Sequence, residues 1–201
     1  MKSNRTNQDQ YSELLLGSDK LWKQILSVQY PYRRTVEKLG LGETLEIGCG
    51  VGRVLGWLSK KSIGVDHNSK SIHICTSKNL TAYTSEQFQE AAKSGEIEGK
   101  RFENLLLAHV LEHLEPLEQI EIIETYLPYL RRTGGIFIVT PQEKGYSSDA
   151  THITFTDFDR IREILNKLNF EVLSQKSFPF PRVIGKYFKY NEFQIYARLK
   201  S

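Results

Sequence analysis

The chain has 201 residues, of which 39% are hydrophobic and 25% are charged, values that are typical of one globular domain. This composition excludes a disordered or collagen-like chain, and no apolar run reaches the ~18 residues of a transmembrane helix. Two cysteines, Cys49 and Cys75, are too few for a disulfide scaffold. The net charge of +3 is too small to demand a nucleic-acid partner. Because the polar N-terminus lacks the apolar core of a signal peptide, we expect a cytoplasmic protein with reduced thiols.

Residues 1–40 are predicted to form a separate helical segment ahead of the main domain. Apolar residues recur at helical spacing over 8–39, and Tyr30-Pro31 is expected to divide this run into two helices.

From residue 41 to residue 201, strand and helix patterns alternate, which is typical of one α/β domain. Strands are expected over 44–47, 62–66, 80–83, 104–110, 136–140, 170–175 and 192–199, and helices over 52–60, 69–77, 116–130 and 156–168. Thr156 and Asp159 are expected to cap the last helix, and Gly134-Gly135 to break the chain before the fifth strand. We predict a doubly wound, Rossmann-like α/β fold with helices on both faces. Its seven-stranded, mostly parallel sheet carries an antiparallel edge strand where the last two strands pair.

The most informative local pattern is the glycine-rich loop Glu46-Ile47-Gly48-Cys49-Gly50-Val51-Gly52, between the first strand and the next helix. Glycines let the backbone turn sharply and let a ligand approach without a Cβ in the way. Loops of this kind lie at the carboxyl ends of the strands, where α/β proteins bind ligands. The spacing G-x-G-x-G differs from the dinucleotide pattern G-x-G-x-x-G, which disfavours a nicotinamide or flavin cofactor. Asp66 ends the second strand, where a carboxylate can accept hydrogen bonds from both hydroxyls of a ribose.

At these residues the sequence resembles the class I S-adenosylmethionine-dependent methyltransferases. The stretch ETLEIGCGVG is similar to their first motif, and the Asp of GVD is similar to their ribose-binding acid. HVLEHL over 109–114 resembles a stretch common in the branch that includes ubiquinone- and natural-product-type enzymes. LPYLRRTGGIFIVTP over 127–141 resembles their next element. The resemblance covers about residues 40–177 and implies S-adenosyl-L-methionine as the cofactor.

The resemblance also implies a place for individual residues around the cofactor. Glu46 is expected at the methionine ammonium, directly or through water, and Asp66 at the ribose hydroxyls. The other implied cofactor-binding residues are Gly48, Cys49, Gly50 and Gly52 in the loop, His67 beside the adenine, Thr84 and Ser85 where many members carry an acidic residue for the adenine amine, and Ala108 and His109 facing the methionine part. The side chain of Cys49 is expected to be inert.

Methyl transfer from a sulfonium is an in-line displacement, so a base is needed only where the acceptor must lose a proton. His152 is the candidate base, because in similar methyltransferases the stretch D-x-T-H reaches toward the active-site opening. A histidine that anchors its loop through the backbone is the alternative. His109 and His113 have the i, i+4 spacing of a metal pair, but no HExxH motif and no third ligand are evident, so no metal site is predicted. Glu112 and His113 are expected to be helix-start residues.

The acceptor is expected to bind between the segments 1–40 and 178–193, with residues 1–40 covering the acceptor side. Both segments are net basic, and the second mixes aromatic residues with Arg182, Lys186 and Lys189. We predict a methyltransferase for a small-molecule or glycan-like acceptor, methylated at a hydroxyl oxygen. One alternative is an RNA or protein methyltransferase, which the modest charge and the stretch AHVLEH after the fourth strand disfavour. Another is a non-catalytic module that binds the cofactor and serves a partner enzyme.

Overall fold

The computed structural model describes residues 30–97 and 99–200, which fold around a seven-stranded sheet. The strands are β1 (Thr44–Ile47), β2 (Ile63–Asp66), β3 (Ala82–Thr84), β4 (Phe102–Ala108), β5 (Leu130–Pro141), β6 (Phe170–Phe178) and β7 (Glu192–Leu199). Their order is β3-β2-β1-β4-β5-β7-β6. Neighbours among β1 to β5 are parallel, whereas β7 runs antiparallel to both β5 and β6. The predicted fold class is confirmed, with β7 inserted between β5 and the edge strand β6.

Helices cover both faces of the sheet because its central strands are apolar on both sides. The helices are α1 (Tyr30–Leu39), α2 (Ser69–Ser77), α3 (Ser85–Ser94), α4 (Glu118–Tyr126), α5 (Glu143–Tyr146) and α6 (Phe158–Lys167). On β4, Leu105 and Leu107 pack into the core formed with α3, α4 and α6, whereas Leu106 packs under α1. All three leucines are fully buried, as expected for the middle strand of a parallel sheet.

Two predicted helices are shorter in the structure than in the sequence-based prediction. The glycine loop continues into turns and a short 3-10 helix at Leu55–Trp57 instead of a helix over 52–60, because Gly52 has a φ of +74°, which an α-helix excludes. The helix predicted over 116–130 spans only α4 and then tightens into a 3-10 turn at Leu127–Tyr129, which contains Pro128.

The fifth strand and the last helix also differ from their predicted boundaries. Gly134 and Gly135 lie inside β5, and a Cβ on Gly135 would come within 2.5 Å of Asn104 Oδ1, so close packing explains this glycine. The N-cap of α6 is Asp157, whose carboxylate accepts from the Arg160 backbone N–H. The predicted cap by Thr156 and Asp159 is therefore wrong. The Thr156 hydroxyl accepts from Gln119 Nε2 and donates to the Thr154 carbonyl.

The segment after β6 is fixed against the end of β5 by a buried amide network. Asn191 Nδ2 donates to Gln142 Oε1 and to Ser177 Oγ, both at 2.9 Å. The Phe180 backbone N–H donates to Asn191 Oδ1 at 2.9 Å. Asn191 and Gln142 are both fully buried, so this network holds the chain between β6 and β7 in place.

The helical prediction for residues 8–29 lies outside the described residues, so the break expected near Tyr30-Pro31 stays a prediction. Within the described part of the chain, none of the helices has the length and apolar character needed to cross a membrane.

Candidate active site

The carboxyl ends of β1, β2 and β4 meet at one edge of the sheet. Ile47 at the end of β1 pairs with Val65 of β2 on one side and with Leu107 of β4 on the other. The chain leaves β1 toward β2 and crosses later to β4, so this edge is the topological switch point where open α/β sheets bind ligands. The glycine loop follows β1, Asp66 is the last residue of β2, and His109 follows β4.

The glycine loop is held against β2 and leaves open space on its outer side. The backbone N–H groups of Gly48 and Cys49 both donate to the Val65 carbonyl, at 2.8 and 3.0 Å. Gly48 and Gly50 have φ values of +72° and +52°, a conformation that favours glycine. A Cβ on Gly48 would lie 2.4 Å from Val110 Cγ2, whereas a Cβ on Gly50 would meet no atom within 4 Å. Packing therefore restricts Gly48, while Gly50 leaves room beside the backbone.

Asp66 connects the glycine loop to the start of α2. Its Oδ2 accepts from the Gly50 backbone N–H at 2.9 Å, and its Oδ1 accepts from the Asn68 backbone N–H at 2.8 Å. Each carboxylate oxygen has a second lone pair, so two more donors can be accommodated. His67 Nδ1 lies 3.6 Å from Oδ1, and its side chain is 72% exposed.

Thr84 lies beside Asp66 in the β2–β3 register and is the N-cap of α3. Its hydroxyl accepts from the Gln87 backbone N–H at 3.2 Å, and Gln87 Oε1 accepts from the Thr84 backbone N–H. Ser85 is half-buried and hydrogen-bonded to Tyr126. Both predicted adenine-side residues therefore lie at the same sheet edge as Asp66.

Glu46 is a carboxylic acid buried under the glycine loop. One side of the carboxylate accepts from the Leu55 backbone N–H, while Oε2 has no hydrogen-bond partner. Burial raises the pKa of Glu46 well above its usual value, and the nearby Cys75 and Asp66 act in the same direction. A buried acceptor without a partner is costly, so this oxygen is suited to a cationic donor that enters the site.

The two cysteines face the protein interior. Cys49 and Cys75 are buried in an apolar cluster with Leu55 and Ile72, and Cys75 Sγ donates to the Gly50 carbonyl at 3.3 Å. The Cys75 thiol and burial raise the pKa of Cys49, which keeps that thiol protonated. The Cys49 side chain therefore supports the loop from inside the protein.

His109 bridges two carboxylates just beyond the end of β4. Its Nδ1 lies 3.2 Å from Glu112 Oε1 and its Nε2 lies 3.0 Å from Glu192 Oε1. Its backbone has a φ of +59°, which is unusual for a residue with a side chain. Desolvation lowers the pKa of His109, but the hydrogen bonds and charges of Glu112 and Glu192 outweigh it and raise the pKa to about 10. His109 is therefore an imidazolium at neutral pH.

A group of unpaired polar atoms surrounds this bridge. Among the described residues, the buried side-chain atoms without a hydrogen-bond partner are Tyr32 Oη, Glu46 Oε2, Glu112 Oε2 and Gln194 Oε1. Burial and the charges of Glu192, Glu46 and Glu112 raise the pKa of Tyr32, so the phenol lies among these carboxylates and stays protonated. Buried polar groups normally have partners, and their concentration beside the glycine loop indicates a ligand site.

His152 and His113 both lie close to Glu112, with one ligand atom from each of the three residues within 4.8 Å of the others. Their ring centroids are 4.8 Å apart, and His152 also stacks on Tyr146 with its Nδ1 at 2.7 Å from the Tyr146 carbonyl. His113 Nδ1 lies 3.2 Å from both the carbonyl and the hydroxyl oxygen of Thr151. The pair His109 and His113 suggested by the sequence spacing does not converge, because His109 faces Glu192 instead.

The sequence matches a family model described as a methyltransferase domain over residues 26–175. The chain belongs to this methyltransferase family. With the glycine loop and Asp66 at the switch point, it is a class I, S-adenosylmethionine-dependent methyltransferase. Among curated proteins, no sequence matches this methyltransferase significantly.

Solved structures of other methyltransferases have the same fold. A SAM-dependent methyltransferase from Archaeoglobus fulgidus is 22% identical, with a TM-score of 0.66 over 89% of this chain and 98% of that chain. The N-methyltransferase NodS from Bradyrhizobium japonicum, in complex with S-adenosyl-l-homocysteine, is 15% identical, with a TM-score of 0.69 over 97% and 100%. Magnesium protoporphyrin IX methyltransferase from Synechocystis, with bound SAH, is 16% identical, with a TM-score of 0.61 over 86% and 85%. These similarities do not single out the ubiquinone- and natural-product-type branch.

Two residues of this methyltransferase site were missed or misjudged in the sequence. Glu112 was expected to be a helix-start carboxylate, but it lies in the short 3-10 helix Leu111–His113, completely buried, and contacts His109. Glu192 lies 83 residues after His109 and had no local signal.

Proposed function

We propose that this methyltransferase transfers the methyl group of S-adenosylmethionine to a hydroxyl oxygen of a small-molecule or sugar-like acceptor. The cofactor supplies an electrophilic methyl group on a sulfonium, so the protein must hold the donor, orient the acceptor and deal with the proton of the hydroxyl.

The residues at the switch point fit the polar groups of the cofactor. Glu46 Oε2, buried and unpaired, suits the methionine ammonium. Asp66 retains lone pairs for the two ribose hydroxyls while its present partners hold it in place. The open space at Gly50 lets a ligand approach the loop backbone. Thr84, Ser85 and the exposed His67 would line the adenine side, and Gly48, Gly52 and Ala108 would shape the cleft. Cys49 would contribute through its backbone, since its side chain faces inward.

The observation that supports a hydroxyl acceptor is the histidine pair beside Glu112. The Tyr146 carbonyl can only accept, so His152 Nδ1 carries a proton, and in the neutral ring Nε2 has the lone pair. That lone pair can activate a hydroxyl, either by taking its proton directly or by holding a cation that acidifies it. His152 is thus the acceptor-side residue, and His109 is a positioning residue because its imidazolium is already held by two carboxylates.

The acceptor would enter between α1 and the segment that joins β6 to β7. Tyr32 brings its phenol from α1 to the carboxylates of the site, which supports the proposal that residues 1–40 cover the acceptor side. On the opposite segment, Phe180 and Tyr187 are 48% and 77% exposed, and Lys189 lies over the Tyr190 ring. Exposed rings with lysines suit a polar acceptor that carries a ring or an anionic group. The cytoplasmic location stays a prediction.

An amine acceptor is the second candidate, and the carboxylates Glu112 and Glu192 favour it. Both lie beside His109, and an acidic cleft attracts a cationic amine before it loses its proton.

The test is transfer from ¹³C-methyl-labelled S-adenosylmethionine to fractionated cell extract, followed by NMR of the product. We expect label in the small-molecule fraction with the chemical shift of an O-methyl group. His152→Gln should lower turnover, whereas the exposed His73→Gln, on α2, should not. An N-methyl product would favour the amine candidate. Label in RNA or protein, or S-adenosylhomocysteine binding without any transfer, would refute the proposal.

A further inference from the structure

Glu112, His113 and His152 bring three potential metal ligands together. One ligand atom from each lies within 4.8 Å of the others. Two of the residues belong to the short 3-10 helix Leu111–His113 after β4, and the third lies in the loop after α5. Two imidazoles and one carboxylate form a ligand set that binds divalent first-row metal ions and leaves coordination positions open.

The hydrogen bonds of both imidazoles leave their outer nitrogens free to bind. The Thr151 hydroxyl donates to Asp149 Oδ1 at 2.6 Å, so toward His113 it can only accept, as the Thr151 carbonyl does. His113 Nδ1 therefore carries the proton, and His152 Nδ1 does so toward the Tyr146 carbonyl. In the neutral form of both rings, Nε2 therefore has the lone pair that a metal ion needs. Histidines that bind metals characteristically donate their other N–H to a carbonyl or carboxylate in this way.

The carboxylate of Glu112 lacks the partner that its burial requires. Its side chain is completely buried, Oε1 is engaged by His109 Nδ1, and Oε2 has no hydrogen-bond partner. A buried carboxylate oxygen without a hydrogen-bond donor lowers the stability of the fold, and a bound cation would supply the missing partner.

We propose that Glu112, His113 and His152 bind one divalent transition-metal ion, such as Zn²⁺ or Mn²⁺, which coordinates the hydroxyl oxygen of the acceptor. The coordination of the acceptor hydroxyl by this metal ion rests on the proposed function. A metal-bound hydroxyl has a lower pKa, so its proton passes to water and the oxygen keeps the electron pair. The acceptor class is accordingly an alcohol, phenol or sugar whose oxygen can reach the metal.

The charges around the site are consistent with a dication. The site combines three carboxylates, those of Glu112, Glu192 and Asp149, with one imidazolium, that of His109. The position is also suitable, since Glu112 contacts His109, which directly follows the carboxyl end of β4 at the cofactor cleft.

The experiment measures metal binding without any acceptor. Untagged protein, stripped with a chelator, is titrated with Co²⁺ while its visible d–d absorption is followed, and Zn²⁺ or Mn²⁺ is then added as a competitor. We expect one Co²⁺ per chain, displaced by Zn²⁺. His113→Gln and His152→Gln should each weaken binding by roughly tenfold or more, and His73→Gln, a histidine on the exposed side of α2, should leave it unchanged.

The controls separate loss of the metal site from loss of the fold. Both histidines are only half-buried, and each variant is accepted only if it still binds S-adenosylhomocysteine. Glu112→Gln, of the same size as the original side chain, provides a second test of the ligand set. Absence of Co²⁺ binding, or equal binding by the wild type and all three variants, would overturn the proposal even if O-methyl transfer is found. Co²⁺ binding as expected together with an N-methyl product would refute the hydroxyl acceptor but support the metal site.

Discussion

Replacing Glu46 by glutamine should stabilise the protein and weaken its cofactor binding. The folded-state pKa of Glu46 is raised above its usual value of 4.5 because the acid is buried and lies near Cys75 and Asp66. A raised pKa means that the folded protein binds the proton more readily than the unfolded chain. Its stability contribution is therefore complete below pH 4.5 and is lost as the pH rises through the raised value. Glutamine does not titrate, so the stability of the variant relative to the wild type should increase as the pH rises above 4.5.

The two expected magnitudes follow from the geometry. Leaving a buried polar atom such as Glu46 Oε2 without a partner costs about 1–3 kcal/mol. Because the amide is also polar, we expect a net gain of about 1 kcal/mol at neutral pH, which raises the Tm by roughly 2–4 °C for a chain of this length. Hydrogen bonds to a charged partner contribute about 1.5–3 kcal/mol. Loss of the carboxylate opposite the methionine ammonium should therefore weaken S-adenosylhomocysteine binding by roughly 10- to 100-fold.

Thermal unfolding at several pH values and calorimetry with S-adenosylhomocysteine measure the two effects in the same samples. Glu37→Gln is the matched control, because Glu37 is exposed and pairs with the likewise exposed Arg33 on α1. It should change both quantities little. Binding by Glu46→Gln within twofold of wild type would refute the contact with the ammonium. A destabilised Glu46→Gln variant at neutral pH would refute the argument from burial.

Three further substitutions test other parts of the structure. Gly50→Ala should lower the free energy of unfolding, measured with urea, by about 1–2 kcal/mol, because a φ of +52° is strained for alanine. It should also weaken S-adenosylhomocysteine binding, because the added methyl group enters the open space beside the loop. Hydrogen bonds from Arg182 lower the pKa of Glu143, so the wild type should exceed Glu143→Gln in urea midpoint at pH 7, and that small advantage should vanish as the pH falls below 4.5. Asn191→Leu should lower the free energy of unfolding by about 3 kcal/mol, because it leaves Gln142 Oε1 and the Phe180 backbone N–H without their partner. Thermal unfolding measures this loss.

Local sequence patterns were sufficient to predict a feature when that feature depends on one strand or helix alone. The apolar run of β4 is buried on both faces and therefore needed no partner to be recognised as a central strand. Boundaries were less predictable, because Thr156 and Asp157 are both good caps and only packing decides between them. Gly135 suggested a chain break, yet it lies inside β5 because Asn104 and Tyr196 come too close for a side chain.

Local patterns in the sequence were enough to predict the fold class, the glycine loop and Asp66 at the end of β2, since these depend on short-range periodicity and on glycine's conformational freedom. The packing of distant elements was needed to show which side chains converge after the end of β4. Glu192 reaches His109 because β7 is inserted antiparallel beside β5, and His152 reaches Glu112 because the loop after β5 folds back over the 3-10 helix. Such contacts depend on how separate elements pack, and the spacing of residues within one element carries no information about them.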